Sequence, residues 1–330
     1  TLPLAFRVAA GTVAPRPLPP GACAAIATGA AVPQGADAVV PIERTELRGE
    51  SVAVPDPVEL GANIRARGGD VAEGGLVLEA GAHLGPAQVG ALAAAGVAAV
   101  ACHARPRVAV VVTGSELREP GAPLEPGQIY ESNRSLLRAA LSRMAEVATG
   151  PIVPDDPDAH REALARGLEC DVLVTSGGVS VGHHDLVRST ASELGVEEVF
   201  WGVAMKPGKP LSFGVRGQKL VFGLPGNPVS ALVGALLFVA PALRALQGAR
   251  RPEPAYELGV LGAGLLRRPE RDELVRARRV LAGGETVLEP IAGQESHMIV
   301  RAAAADALVH VPRGNGELPA GSRVRYLPLA

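Results

Sequence analysis

The stretch DVLVTSGGVSVGHHD at 171–185 constrains the fold of this chain more than any other. It opens on an apolar run, 172–174, of the kind that parallel sheets bury. The run then breaks into Thr175, Ser176, the paired glycines Gly177 and Gly178, and a further hydroxyl at Ser180. Paired glycines after a strand let the backbone approach a ligand, and small hydroxyls add donors without bulk. Asp185 opens a helix-like stretch, LVRSTASEL. A strand, a Gly/Ser loop and a helix N-terminus make an anion site; the plainer reading is a tight structural turn.

The surrounding sequence repeats this alternation. Residues 108–112 are β-branched and end in TGSE, and Leu136, Leu137, Ala140, Leu141 and Met144 recur at helical spacing. A short strand is expected at 152–153 and a helix after Asp158. Further strands are expected at 199–203, 211–215 and 220–222. Asn227 is placed to cap a last helix, with Pro228 in its first turn. The apolar run 229–239 is short for a membrane span and is followed by Pro241, so it reads as a buried helix. This order predicts a doubly wound α/β domain over 105–249.

The flanks differ. Residues 1–68 are rich in Gly, Pro, Ala and Val, and strands at 24–27, 38–42 and 51–54 predict a small β domain. Residues 69–104 read as a connecting element, with strands at 77–78 and 97–100 around a helix between Pro86 and Gly96. After the linker-like RRPEP, residues 250–330 predict a C-terminal β domain with strands at 274–280, 286–288, 307–311 and 324–327.

Composition narrows the function. A length of 330 residues exceeds one ordinary core, and 47% hydrophobic with 20% charged residues describes a globular chain. With a net charge of -2 and 3% aromatic residues, there is neither a basic field nor stacking surface for nucleic acid. Cys23, Cys102 and Cys170 are far apart and form no CxxC pair, which argues against a disulfide framework or zinc site and fits a reducing cytoplasm. The N-terminus lacks a charged-then-apolar signal pattern, and no membrane association is expected.

In a doubly wound sheet, ligands sit beyond the C-terminal strand ends. The unusual residues fall there: TGSE at 113–116, PDD at 154–156, SGGVSVGHHD at 176–185 and LPGNP at 224–228. KPGKP at 206–210 is expected between two strands of the same domain. Lys206 and Lys209 are two of only three lysines, on a loop stiffened by Pro207 and Pro210. Rigid cations suit a phosphate ester or oxyanion, although lysines are ordinarily solvated. Glu116, Asp155 and Asp185 offer hard oxygen ligands for Mg²⁺, against the simpler role of helix capping. His183 and His184 are adjacent, so their side chains diverge and read as solvated. Neither a Walker A loop nor GxGxxG is present, which excludes a P-loop NTPase and an ordinary dinucleotide dehydrogenase. Thr28-Gly29 and NIRARGGD at 63–70 read as a turn and a surface charge cluster. GQESH at 293–297 reads as a hairpin turn, or as a segment reaching a neighbouring subunit's cleft.

Taken together, TGAAVPQGADAVV, GANIRARGGD, VVVTGSEL, TSGGVSVGHHD, VAMKPGKP, GLPGNPVSA and GQESH resemble, in order, the molybdopterin molybdenumtransferases, the MoeA and gephyrin E-domain family. KPGKP followed by LPGNP is the most specific part. The resemblance implies an α/β multidomain fold. A central doubly wound molybdopterin-binding domain would be flanked by a small N-terminal β domain and a C-terminal β-barrel-like domain. It implies insertion of molybdate into adenylylated molybdopterin with Mg²⁺ and release of AMP, by an elongated homodimer, with a molybdopterin adenylyltransferase as a candidate partner. Carried over by motif, Asp70, Glu116, Asp155, Asp185 and Lys206 take catalytic positions, with Glu116 and Asp185 as metal ligands. Thr28, Pro225, Pro228 and Ser296 fall on substrate positions. Ser176, Gly177, Gly178, Ser180, Lys209 and Asn227 join them as substrate-binding residues from the loop reading.

The sequence departs from the family at Ser115, where Asp is usual, at Gly69, where Glu is usual, and at Gly202, where some members carry lysine. The family's DGYAV segment is absent, so the chain reads as lacking the family's N-terminal segment. Two alternatives stand beside the insertion enzyme. One is the related adenylyltransferase, disfavoured by the flanking β domains and LPGNP. The other is a non-enzymatic gephyrin-like scaffold.

Overall fold

A computed structural model describes residues 1–178 and 186–329. The chain divides into two units, Thr1–Glu79 with Val89–Val97, and Ala80–Gln88 with Ala98–Ala330.

The first unit is built on a four-stranded sheet in the order Cys23–Ile26, Leu2–Val8, Ser51–Ala53, Glu46–Arg48. The first pair is parallel and the others antiparallel. Residues 38–42 are not the expected strand. Their bonding groups face a turn instead: Val39 N–H donates to Ala62 O and Asn63 Nδ2 to Val39 O, and a 3₁₀ turn follows at Ile42–Arg44. The expected strands at 77–78 and 97–100 are also irregular: among the described residues neither is paired into a sheet, and Val97 N–H donates to Leu92 O instead. The helix Pro86–Ala94 forms as its Pro and Gly boundaries predict.

In the second unit a six-stranded sheet runs Glu197–Trp201, Ser212–Arg216, Lys219–Leu224, Val172–Ser176, Arg107–Val112, Glu146–Thr149. The last four strands are mutually parallel. Successive residues of a strand face opposite sides. Val108, Val110, Val112, Val172 and Val174 therefore pack with Leu137, Leu141 and the helix Pro228–Leu246. Ala109, Val111 and Leu173 pack on the other side with Leu164, Val187 and Ala191 of Pro157–Gly167 and Leu186–Glu193. Helices on both faces of a parallel-rich sheet make the doubly wound domain that the alternation implied. Glu146–Thr149 forms the edge beside Arg107–Val112, and the expected strand at 152–153 reduces to a single bridge from Val153 to Thr113.

Pro228–Leu246 is long and apolar enough to span a membrane by length and composition, but half of it is buried inside the domain. It passes Pro241 through a π-helical turn, Ala235–Val239, in which Ala240 N–H donates to Ala235 O. The wider turn accommodates a residue that has no N–H to give.

Behind it, Asp272–Ala282, Glu285–Pro290, Glu257–Leu261, Arg323–Pro328 and Ala307–Val311 close into a five-stranded barrel, the last strand pairing back onto the first. Leu261, Val275, Leu288, Val309 and Tyr326 fill its core. Leu274, Leu308 and Leu327 join the core of the α/β domain instead, so the two pack as one body.

Candidate active site

The strand-end loops of the α/β domain meet at one edge, built outward from the strand Val172–Ser176. Beyond it Gly177 takes a φ of +96° and Gly178 a φ of +65°, a region that favours glycine. A Cβ on Gly177 would lie 2.5 Å from Thr113 O, and one on Gly178 would lie 2.6 Å from Val187 Cγ2. Only glycine allows this close approach. Thr113 N–H donates to Ser176 O and Gly114 N–H to Val153 O, which joins the loops after three neighbouring strands. Ser180 and Asp185, with His183 and His184, lie outside the described residues.

The 113–116 and 154–156 turns are tied reciprocally. Ser115 N–H donates to Asp155 Oδ2 at 3.1 Å, and Asp155 N–H donates to Ser115 Oγ at 3.0 Å. The hydroxyl at Ser115 thus has a local bonding role where the family usually carries a carboxylate. Asp155 is not a helix cap; Asp156 is, accepting from Ala159 N–H at 2.8 Å. Glu116 and Asp155 are both exposed on these linked turns. Among the described residues no group of three or more His, Cys, Asp or Glu side chains gathers to hold a metal. Below the turns, burial lowers the imidazole of His160, against the raising influence of Asp155 and Asp156.

On the other side, Gly177 N–H donates to Leu224 O at 3.2 Å, which brings in the LPGNP loop. Ser176 is buried and its hydroxyl faces Pro225 O at 3.3 Å. Asn227 stands before the helix starting at Pro228, but its side chain does not cap it; Nδ2 donates instead to Ser296 Oγ at 2.9 Å. Ser296 O also accepts from Val229 N–H. The GQESH segment therefore meets its own chain's LPGNP loop and is not a free hairpin turn.

What holds that segment was not apparent in the sequence. Arg276, 1% exposed in the barrel strand Asp272–Ala282, donates to Gly293 O at 2.8 Å and to Glu295 O and Met298 O at 3.2 Å each. Gln294 Oε1 accepts from Arg276 N–H, and Gln294 Nε2 returns a bond to Arg276 O. The rigid guanidinium fork satisfies several carbonyls at once. Burial lowers the Arg276 guanidinium below its ordinary value, against the pull of Glu295.

The KPGKP loop does lie between two strands of the α/β sheet, Glu197–Trp201 and Ser212–Arg216, but its first residues do more: Met205–Lys206 is a short strand that pairs with Asp272 and Glu273 of the barrel sheet, so the loop also bridges the two domains. Pro207 and Gly208 are buried while Lys206 and Lys209 are exposed. A Cβ on Gly208 would lie 3.8 Å from Ser230 O, which sets the loop beside the helix following LPGNP. Gly202, where some relatives carry lysine, has a φ of +84°. In the first unit, Thr28 is exposed on the turn after Cys23–Ile26, and Asp70 is exposed at the end of the 63–70 run.

Comparison with known proteins decides the family. Residues 2–96 match the MoeA N-terminal region (domain I and II), 109–245 a probable molybdopterin binding domain, and 259–329 the MoeA C-terminal region (domain IV). Molybdopterin molybdenumtransferase 2 of Mycobacterium tuberculosis is 37% identical over 99% of this chain and 82% of its own length. The chain belongs to the molybdopterin molybdenumtransferase family. The Haemophilus influenzae molybdopterin molybdenumtransferase is 33% identical, again over 99% of this chain and 82% of its own length. The crystal structure of the molybdopterin biosynthesis MoeA protein of Pyrococcus horikoshii superposes with a TM-score of 0.77 at 31% identity, covering 100% of this chain and 81% of that one. The protein is therefore a family enzyme of molybdenum cofactor biosynthesis, and the edge described above belongs to its molybdopterin-binding domain.

Proposed function

We propose that this enzyme inserts molybdate into adenylylated molybdopterin and releases AMP, with Mg²⁺ as the assisting ion. One observation carries the reading: the loops bearing Glu116, Asp155, Gly177 and Asn227 converge on a single sheet edge, and Ser296 joins Asn227 there. Such an edge is where a doubly wound sheet binds its ligand.

The glycines at 177 and 178 leave backbone open to a phosphate, and Pro225 and Pro228 fix the neighbouring wall. Lys206 and Lys209 hold an oxyanion as exposed point charges. Ser296, kept in place by Asn227 and the Arg276 loop, offers a hydroxyl to the same anion. Glu116 and Asp155 suit Mg²⁺, since that ion takes few protein carboxylates and keeps several waters. Asp185 is assigned to the same ion by its motif. The bound ion would neutralise phosphate charge and polarise the phosphoryl group. Thr28 and Asp70 belong to the same reading by motif. A homodimer, assistance from a molybdopterin adenylyltransferase and a cytoplasmic location complete it; three separate free thiols support the last.

The test is AMP release, followed by chromatography after adenylylated molybdopterin is mixed with protein. Release should require both molybdate and Mg²⁺, and Glu116→Gln and Asp185→Asn should each slow it about a hundredfold or more while staying folded. Release that ignores molybdate, or that both variants retain, would sink the assignment.

A further inference from the structure

We propose that Asn133 is a positioning residue that locks the Gly177 loop and the LPGNP loop into one cleft wall. Asn133 is the first residue of the helix Asn133–Leu141; the cap position before it is Ser132, whose side chain makes no capping bond. Here that work is done otherwise: Glu131, 2% exposed, accepts from Arg134 N–H at 2.8 Å through Oε1. Arg134 is itself held by Glu119, whose hydrogen bond raises its guanidinium above the ordinary value, against the effect of burial. The helix start is thereby fixed, and the Asn133 side chain is released for another task.

Asn133 is 8% exposed, and its Nδ2 lies 2.8 Å from Ser176 Oγ and 2.7 Å from Gly226 O. A carbonyl oxygen only accepts, so the group facing Gly226 O is the amide NH₂. Both amide hydrogens are then committed. Ser176 Oγ, having accepted one, passes its own hydrogen to Pro225 O at 3.3 Å. One amide thus spans the end of the strand Val172–Ser176 and the loop after Lys219–Leu224. The backbones it spans touch: a Cβ on Gly226 would lie 3.6 Å from Gly177 Cα. Buried networks of this kind hold one geometry, because a lost donor leaves acceptors without water to replace it. With both hydrogens spent on the protein, Asn133 has no donor left for a ligand, and its Oδ1 is buried without a partner; its amide group serves the loops it holds.

This inference rests on the proposed function for its kinetic consequence, but not for its structural one. The experiment compares the full chain with Asn133→Ala, Asn133→Asp and the milder Ser176→Ala, by amide hydrogen exchange, melting temperature and steady-state AMP release. Asn133→Asp keeps the shape and removes both donors, so it separates lost hydrogen bonds from lost packing. Exchange at Gly177 and over 226–229 should quicken about tenfold or more in both Asn133 variants, and less in Ser176→Ala, with Arg107–Val112 unchanged. KM for adenylylated molybdopterin should rise about tenfold while kcat stays within about twofold. Uniformly faster exchange with unchanged KM would make Asn133 an ordinary core residue and overturn the proposal, as would local loosening with no change in KM. If the wild-type protein releases no AMP, the proposed function fails, and local against uniform exchange alone decides whether Asn133 ties the loops.

Discussion

Lys206 and Lys209 show how a residue's surroundings turn an ordinary side chain into a candidate ligand. The proline and glycine between them are buried, so two charges are displayed from a fixed base. Lys206→Ala should weaken binding of molybdate or adenylylated molybdopterin about ten- to a hundredfold, the loss of one charge-assisted contact of about 1.5–3 kcal/mol. Calorimetric titration checks this, and the melting temperature should stay put because the side chain is exposed. His160 makes a different prediction. Its folded pKa lies below the ordinary 6.5, so the unfolded chain takes up its proton first as pH falls. Stability is therefore intact above that value and declines below it, through the window down to the lowered folded pKa. In His160→Leu the decline in melting temperature between about pH 7 and pH 5 should be shallower than in wild type. These lysines stood out in the sequence because they are rare in it. Arg276 and Asn133 did not: arginine is this chain's common cation, and an asparagine at a helix start is commonplace in a sequence. Only the fold reveals that one is buried among carbonyls and the other bridges two loops.

At the scale of elements, the loop after Val172–Ser176 depends on backbone that a side chain would block. Gly177→Ala would combine a φ of +96° with a Cβ 2.5 Å from Thr113 O. We expect a cost of about 1–3 kcal/mol, seen as a melting temperature lower by several degrees. The barrel loop at 293–298 depends on the guanidinium fork. Arg276→Lys keeps the charge but cannot reach the same set of carbonyls, so amide exchange over 293–298 should rise while the barrel strands stay protected. The periodic helices and buried parallel strands were legible, since each carries its pattern within one segment. The misplaced strands at 38–42, 77–78 and 97–100 are short apolar runs whose fate depends on whether a partner lies alongside. Glu146–Thr149 escaped for the opposite reason: as an edge strand it is mostly exposed and carries little apolar signal.

For the whole molecule, the α/β domain was readable from its alternation, whereas the residues of the C-terminal domain showed only a set of strands, and a barrel was implied by the family resemblance alone. Closure is a long-range fact, fixed when Ala307–Val311 pairs with both Asp272–Ala282 and Arg323–Pro328. The same holds for the site. Its loops were individually visible, but the bridge made by Met205–Lys206 into the barrel sheet needed the fold, because two residues carry no periodicity. That bridge ties the cationic loop to the barrel sheet, while the Ser296 segment reaches the α/β domain through Asn227 and Val229, and the proposed reaction rests on this assembly. The most direct test is metal transfer itself: molybdenum bound per pterin, measured by elemental analysis after adenylylated molybdopterin, molybdate and Mg²⁺ are incubated with the protein. Molybdenum should join the pterin only when protein is present, and Lys206→Ala and Glu116→Gln should strongly reduce the yield. Pterin that stays metal-free with the wild-type protein, or acquires metal equally well without it, would contradict the proposed function.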